Sequence, residues 1–217
     1  MQLVFDIETD GLLDEMTVCH MLVCQDAVTK KLYRFADQPG FPTIKSGLDF
    51  MNTAAGLVGH NIIGFDLMAL EKLYGWKPND NVRVIDTWVM SQVLNYQRPH
   101  KHGLAGWGEY LGYAKQDNSS FKETGWKEYS PQMMEYCTQD VQLNLKVYEV
   151  LLAELNEAVK INPLIKKGLL VEHDISFFER EVRKKGWLFD YDQALHNLGV
   201  MKKHMNKIES IIEPRLG

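Results

Sequence analysis

The sequence predicts an α/β domain, a mixed sheet flanked by helices, with a helical extension at its C-terminal end. Three observations carry this. The chain opens with three strand-like segments joined by short polar turns. It then alternates short apolar strand runs with segments of helical spacing, and from Pro163 onward only helical patterns remain. Strands first, then mixed β and α, then helices, is the order of a mixed sheet covered by helices.

Each element has a local reason. QLVFDIET alternates apolar and polar residues, as a strand does. TVCHMLVCQDA and KKLYRFA follow across a short polar turn, giving a three-stranded meander. IKSGLDFMNT reads as a short helix and GLVGHN as a glycine-flanked buried strand. FDLMALEKLYG has helical spacing and ends on Gly75, a residue suited to a left-handed C-cap. VRVI is a further strand, and Asp86 is placed to N-cap the helix TWVMSQVL. GLAGWGEYLG is apolar and helical. The polar stretch 113–129 reads as a long loop, a kind more often functional or mobile than idle. Ser130-Pro131 then starts a long helix through MMEYCTQDVQLNLKVYEVLLAELNEA, with serine as cap and proline in the first turn. Two more helices lie on either side of GWLFD. The boundary falls near 160, giving a domain over 1–160 and an extension over 161–217.

Composition limits the function classes. The 217 residues are 45% hydrophobic and 24% charged, ordinary for a globular chain. No apolar run approaches a membrane span, and the N-terminus lacks the basic start and apolar core of a signal peptide. Cys19, Cys24 and Cys137 have no paired spacing and read as reduced cytosolic thiols. The net charge of −5 does not announce a nucleic-acid binder. From Pro163 onward there are 10 Lys and Arg against 8 Asp and Glu, leaving 14 against 21 before it. An acidic first part suits a protein that gathers carboxylates around metal ions.

Asp6 and Glu8 stand two apart on a strand, so both point to one face. Like charges so close raise each other's pKa unless a cation neutralises them; a solvent-facing edge would also accommodate them. Asp66 opens a helix, where a carboxylate complements the dipole. Tyr136 and Asp140 are four apart on the long helix and share a face; a core tyrosine beside a surface aspartate has the same spacing. Together, four carboxylates and a hydroxyl fit the oxygen-donor demand of hard divalent cations. They also fit two-metal sites that promote in-line phosphoryl displacement.

With these residues the chain resembles the DEDD exonuclease family in its tyrosine-bearing branch. Asp6-Ile7-Glu8 matches the first motif, Asn61-Ile62-Ile63-Gly64-Phe65-Asp66 the second, and Tyr136-Cys137-Thr138-Gln139-Asp140 the third. The histidine branch places His five residues before the last aspartate, where this chain has Glu135. HGLAGWGEYLG, the polar loop and MMEYCTQDV look like the 3′–5′ proofreading domain of bacteriophage family A DNA polymerases. VEHDISFFEREVRKKGWLFDYDQAL resembles the segment leading into the polymerase thumb. The polymerase metal-binding aspartate motifs and nucleotide-binding helix are not found in the sequence, so this chain is not expected to polymerise.

The resemblance implies a ribonuclease H-like fold and two divalent ions, Mg²⁺ with Mn²⁺ able to substitute. Asp6 would bridge both ions, Glu8 and Asp140 would complete the first site, and Asp66 would reach the second. Tyr136 and Glu8 would orient the attacking water. Thr9, Asn61 and Phe65 would contact the nucleic acid, although Phe65 can equally pack in the core. The implied activity is removal of 5′-mononucleotides from single-stranded or frayed DNA 3′ ends. The implied partner is a polymerase domain of the same longer chain or a separate subunit. The setting would be cytoplasmic, that of the host cell for a phage protein. An RNA 3′-end trimming enzyme of the same branch is the alternative, since that choice depends on the 2′-hydroxyl. A non-catalytic relative would be marked by loss of a carboxylate, and all four are present.

Other residues have plainer readings. Asp86 is a helix cap, and His60, His100 and His102 lack the companions of a zinc site. His100, Lys101 and His102 could touch phosphate. Lys115, Lys122 and Lys127 are loop charges that could guide a 3′ end. Trp107 and Tyr110 are expected in the core. Arg183, Lys184 and Lys185 sit at a helix end, where the dipole favours them.

Overall fold

The period-two pattern of the first strand, β1 (Gln2–Thr9), organises the fold. Leu3, Phe5 and Ile7 enter one buried cluster and Val4 enters another, so the strand has an apolar layer on each face. A strand covered on both sides is a central strand. A computed structural model describes residues 1–113 and 126–216 of the chain.

The expected meander is present. β1 pairs antiparallel with β2 (Cys19–Asp26), which pairs antiparallel with β3 (Leu32–Phe35). On its other edge β1 pairs parallel with β4 (Gly56–Gly59), and β4 pairs parallel with β5 (Arg83–Asp86). The order across the five-stranded sheet is β3-β2-β1-β4-β5. Three parallel strands thus end side by side, where α/β sheets place their ligands. Their ends carry Asp6 and Glu8, Gly59, and Asp86.

Helices cover both faces. On the side of Leu3 and Phe5 lie α1 (Ile44–Met51) and α2 (Asp66–Tyr74), through Ile44, Leu48, Leu67 and Leu70. Thr43 caps α1, and Gly75 ends α2 at φ 62°, as the sequence indicated. On the side of Val4 lie α3 (Thr87–Leu94), α4 (Leu104–Tyr110) and α5 (Pro131–Ile161). Ser130 caps α5 by accepting from the Met133 N–H, with Pro131 following. Met133, Cys137, Val141, Tyr148 and Leu151 recur at helical spacing and face the sheet. Trp107 is fully buried as expected. Tyr110 is not: it is 60% exposed, because its side of the short α4 faces outward, and its ring stacks on His100 at 4.3 Å.

α6 (Ile165–Lys185) follows, with Arg183, Lys184 and Lys185 in its last turn. The chain divides into two compact units, Met1–Arg180 and Glu181–Gly217. Residues 161–180, read from sequence with the extension, belong to the first unit. His173 and Arg180 are buried there, and Arg180 ion-pairs with Glu71 of α2. The second unit contains α7 (Tyr191–Leu216), which leaves Leu195, Leu198, Met201, Met205, Ile208 and Ile212 exposed at three- and four-residue steps. Among the described residues, no helix is long and apolar enough to cross a membrane.

Gly59, the last residue of β4, has no room for a side chain. A Cβ there would lie 2.0 Å from Ile62 Cγ2 and 3.2 Å from the Phe5 carbonyl oxygen. Gly59→Ala is therefore expected to destabilise the domain by about 1–3 kcal/mol, the usual cost of overpacking, measured by denaturant unfolding.

Candidate metal centre and active site

Asp6 and Glu8 stand on the same face of β1 as Val4, the face that α5 covers. The side-chain ligand atoms of Asp6, Glu8 and Cys137 all lie within 4.8 Å of one another. The Cys137 thiol donates to the Asp6 carbonyl oxygen at 3.6 Å and to Asp6 Oδ2 at 3.7 Å, tying the first turns of α5 to β1. Burial, then the charges of Asp6, Glu8 and Asp140, push this thiol well above its ordinary range. The first and third motifs meet because strand alternation aims one at the helix and helical periodicity aims the other at the strand.

Tyr136 is buried, and its ring meets the edge of Trp126 at 5.7 Å. Trp126 has φ 60°, and its carbonyl oxygen is bonded to His20 Nε2 at 2.8 Å. Tyr136 is thus held by α5 on one side and by a fixed indole on the other. Asp140, one turn along α5, is also buried.

Asp66 arrives from the opposite helical layer, carried by the turn between β4 and α2. Asn61 begins that turn at φ 61°, a left-handed conformation that asparagine tolerates better than most residues. A Cβ at Gly64 would meet Asn61 Oδ1 at 2.6 Å, so a side chain there would displace the Asn61 amide. The Phe65 N–H bonds the Asn61 carbonyl oxygen at 3.1 Å, and Asp66 enters α2 buried. Burial, followed by the nearby Asp6 charge, holds its carboxyl well above the usual carboxylate range; a bond from the Ile7 backbone opposes this. The Ile7 bond ties Asp66 to β1, one residue from Asp6.

The expected nucleic-acid contacts differ in disposition. The Thr9 hydroxyl is buried and donates to the Gly11 carbonyl oxygen at 2.8 Å. Asn61 is exposed. Phe65 is half-buried and packs on the core cluster of α1 and α2.

Asp86 does more than cap. It accepts from the Trp88 N–H at 2.9 Å, as a cap does, and also from the N–H groups of Asn61 at 2.9 Å and Ile63 at 3.1 Å. Burial raises its carboxyl above the ordinary range, against the pull of these three bonds. The histidines are engaged elsewhere. His60 Nδ1 meets Thr87 Oγ1 at 2.8 Å, and His102 bonds Ser91 Oγ at 2.8 Å and the Tyr96 carbonyl oxygen at 3.1 Å. His100 lies between Trp107 and Tyr110. Among the described residues they join no metal-ligating cluster. All three cysteines are buried and free of disulfides. Lys127 is exposed, while Lys115, Lys122 and most of the 113–129 stretch lie outside the described residues.

Two features of the site escaped the sequence. Cys137 stands one turn before Asp140, and that i, i+3 spacing was a usable signal. The reach of Asp86 to the Asn61 turn was not, because it depends on β4 and β5 lying side by side.

No protein-family model matches the sequence, and no curated protein matches it. Solved structures do. The Brucella melitensis nuclease NrnC with bound Mg²⁺ aligns at a TM-score of 0.60 and 17% identity, over 88% of this chain and 90% of that one. NrnC bound to pGG aligns at 0.59 and 18%, over 88% and 89%. The family B DNA polymerase of Pyrobaculum calidifontis aligns at 0.55 and 19%, over 85% of this chain but only 29% of the polymerase. The chain shares their ribonuclease H-like fold, a mixed five-stranded sheet flanked by helices. Its oxygen-rich donor set of Asp6, Glu8, Asp66 and Asp140 suits a hard divalent cation, and the elevation of the Asp66 carboxyl is what such a cation would relieve.

A pH and metal dependence follows. A carboxyl whose folded pKa is raised makes the folded state bind more protons than the unfolded chain, so stability falls as pH rises through the window between the two pKa values. Asp66→Asn should therefore raise the melting temperature of the metal-free protein at pH 7. Each kcal/mol gained corresponds to about 2–4 °C for a chain of this size. The gain should vanish near pH 4 and below, and Mg²⁺ should stabilise the wild type more than the variant, all read by calorimetry.

Proposed function

We propose that this chain is a metal-dependent 3′–5′ exonuclease. It removes 5′-mononucleotides from single-stranded or frayed DNA 3′ ends, as the proofreading part of a phage-type family A DNA polymerase. The observation that supports this most is the convergence of Asp6, Glu8, Asp66 and the Tyr136–Asp140 face of α5 at one end of the sheet. They come from three motifs, on β1, on the turn before α2 and on α5, and nothing in core packing requires four acids to meet there.

Two divalent ions bound by these carboxylates would lower the pKa of a water and neutralise charge on the attacking and leaving oxygens. The chain's own residues do the positioning. Asp6 would hold the ions from β1, beside Glu8 and Cys137. Asp140 closes the site from α5, and Asp66 closes it from the turn before α2. The Tyr136 hydroxyl, its ring held by Trp126 and the helix, orients the nucleophile toward the phosphorus; such alignment commonly decides two orders of magnitude in rate. Asn61 and Phe65 flank the approach to Asp66, where a strand end would lie, and a half-exposed aromatic can stack a base. The exposed apolar steps of α7 support a covering partner such as a polymerase domain.

A second reading is trimming of RNA 3′ ends. It is favoured by coverage: NrnC matches over nine-tenths of its own length and is known with pGG bound, whereas the polymerase matches over less than a third.

The test uses 5′-labelled single-stranded DNA and RNA of one sequence, with Mg²⁺ or EDTA. A descending ladder on DNA, abolished by EDTA, is the expected outcome; a ladder mainly on RNA moves the assignment to the second reading, and none on either, with Mn²⁺ also tried, overturns both. Asp6→Ala and Asp140→Ala are each expected to slow the reaction by about 10²-fold or more, as loss of an electrostatic stabiliser does. Tyr136→Phe, which removes only the orienting hydroxyl, should lower kcat by about 10²-fold with KM unchanged, measured in single-turnover assays.

A further inference from the structure

Asp86 and His173 lie outside the carboxylate cluster, yet both are buried and both of their polar ends are used. His173, on α6, is 8% exposed. Its Nδ1 lies 2.8 Å from the Leu169 carbonyl oxygen, one turn earlier. A carbonyl oxygen can only accept, so Nδ1 carries the proton, and Nε2 is left as an acceptor. That acceptor receives the Asp86 backbone N–H at 2.9 Å. The ring is therefore a neutral imidazole in one defined tautomer, spanning α6 and the end of β5.

From Asp86 the path continues to the site. Its carboxylate uses both oxygens, Oδ1 on the N–H groups of Asn61 and Trp88 and Oδ2 on the N–H of Ile63. Asn61 and Ile63 form the strained start of the turn whose end is Asp66. The turn closes on itself through Phe65 N–H to Asn61 O and Leu67 N–H to Ile62 O, so fixing its first residues fixes its last. The Asp86 charge also reaches Asp66, among the causes that raise its carboxyl.

We infer that His173, acting through Asp86, is a positioning residue for Asp66: the seat of α6 on β5 sets the turn that delivers this metal-facing carboxylate. The inference rests on the metal-site reading above. A purely structural role explains the observations less well. Leu169 and Phe177 already give α6 an apolar seat against the two core clusters. A buried imidazole is a costly addition to such a seat unless its direction matters. Outer partners that orient ligand-bearing groups commonly govern metal affinity or activity by 10- to 100-fold when removed.

The test measures Mn²⁺ affinity by titration calorimetry, the His173 tautomer by ¹⁵N-histidine NMR, and kcat and KM on a DNA oligonucleotide. It uses the full chain with His173→Ala, His173→Gln and Asp86→Asn. The ring should show the Nδ1–H neutral tautomer. His173→Ala should weaken Mn²⁺ binding by about ten-fold and lower kcat by a similar factor with KM held. His173→Gln, whose Oε1 can accept the Asp86 N–H, should recover most of both. Asp86→Asn should resemble His173→Ala, because its amide would oppose one of the N–H donors. Unchanged Mn²⁺ affinity in His173→Ala, whatever its melting temperature, overturns the inference, as does a glutamine variant no better than alanine. If the wild type degrades no oligonucleotide the exonuclease reading fails alone, and the Mn²⁺ arm still decides this inference; a wild type that binds no Mn²⁺ overturns both.

Discussion

Carboxylates repel, and this fold holds them together anyway. Asp66 and Asp140 are buried, Asp6 and Glu8 half-buried, and burial with the neighbouring Asp6 charge lifts the Asp66 carboxyl well above its ordinary range. A cluster of this kind persists only when its scaffold is stable without it. Here the scaffold is the two-faced β1. Leu3, Phe5 and Ile7 bind it to α1 and α2, and Val4 binds it to α5, so the acids ride on a strand that cannot turn away. The resulting local instability is the physical opening for a divalent cation, whose binding gives back what the repulsion withholds.

Three separate devices deliver the four acids. Period-two alternation sends Asp6 and Glu8 toward α5, the sheet face opposite that of Leu3 and Phe5. Helical periodicity sends Tyr136 and Asp140 back toward them, with Cys137 filling the gap between strand and helix. Asp66 depends on a tight turn with an asparagine in the left-handed region and two backbone N–H bonds, from Asn61 and Ile63, to the Asp86 carboxylate. The first two devices are regular structure and tolerate small displacements. The third is an irregular turn and needs outside support, which explains why a buried aspartate and a buried histidine are spent on it.

Much of this was legible from the residues. Alternation in QLVFDIET, the serine–proline start of α5 and the glycine end of α2 are local signals, and the elements follow them closely. The spacing within FDIETD and YCTQD gave the faces on which the acids stand. What stayed hidden was non-local. Tyr110 shares the apolar pattern of α4 with Trp107, but a helix of seven residues has only one buried side, and His100 occupies the other. His173 sits in a charged helical stretch with nothing to mark it, because its partner is a backbone N–H at the end of β5. Residues 161–180 changed character at Pro163 in composition, while the burial of His173 and Arg180 comes from contacts with Asp86 and Glu71 that composition does not register.

The proposed activity requires that the four acids form a single divalent-cation centre. Its most direct test is a crystal of the wild-type protein soaked in Mn²⁺ and measured for anomalous scattering. Density is expected among Asp6, Glu8, Asp66 and Asp140, lost in an Asp6→Asn crystal grown alike. Strong peaks elsewhere, with none among these carboxylates, would contradict it.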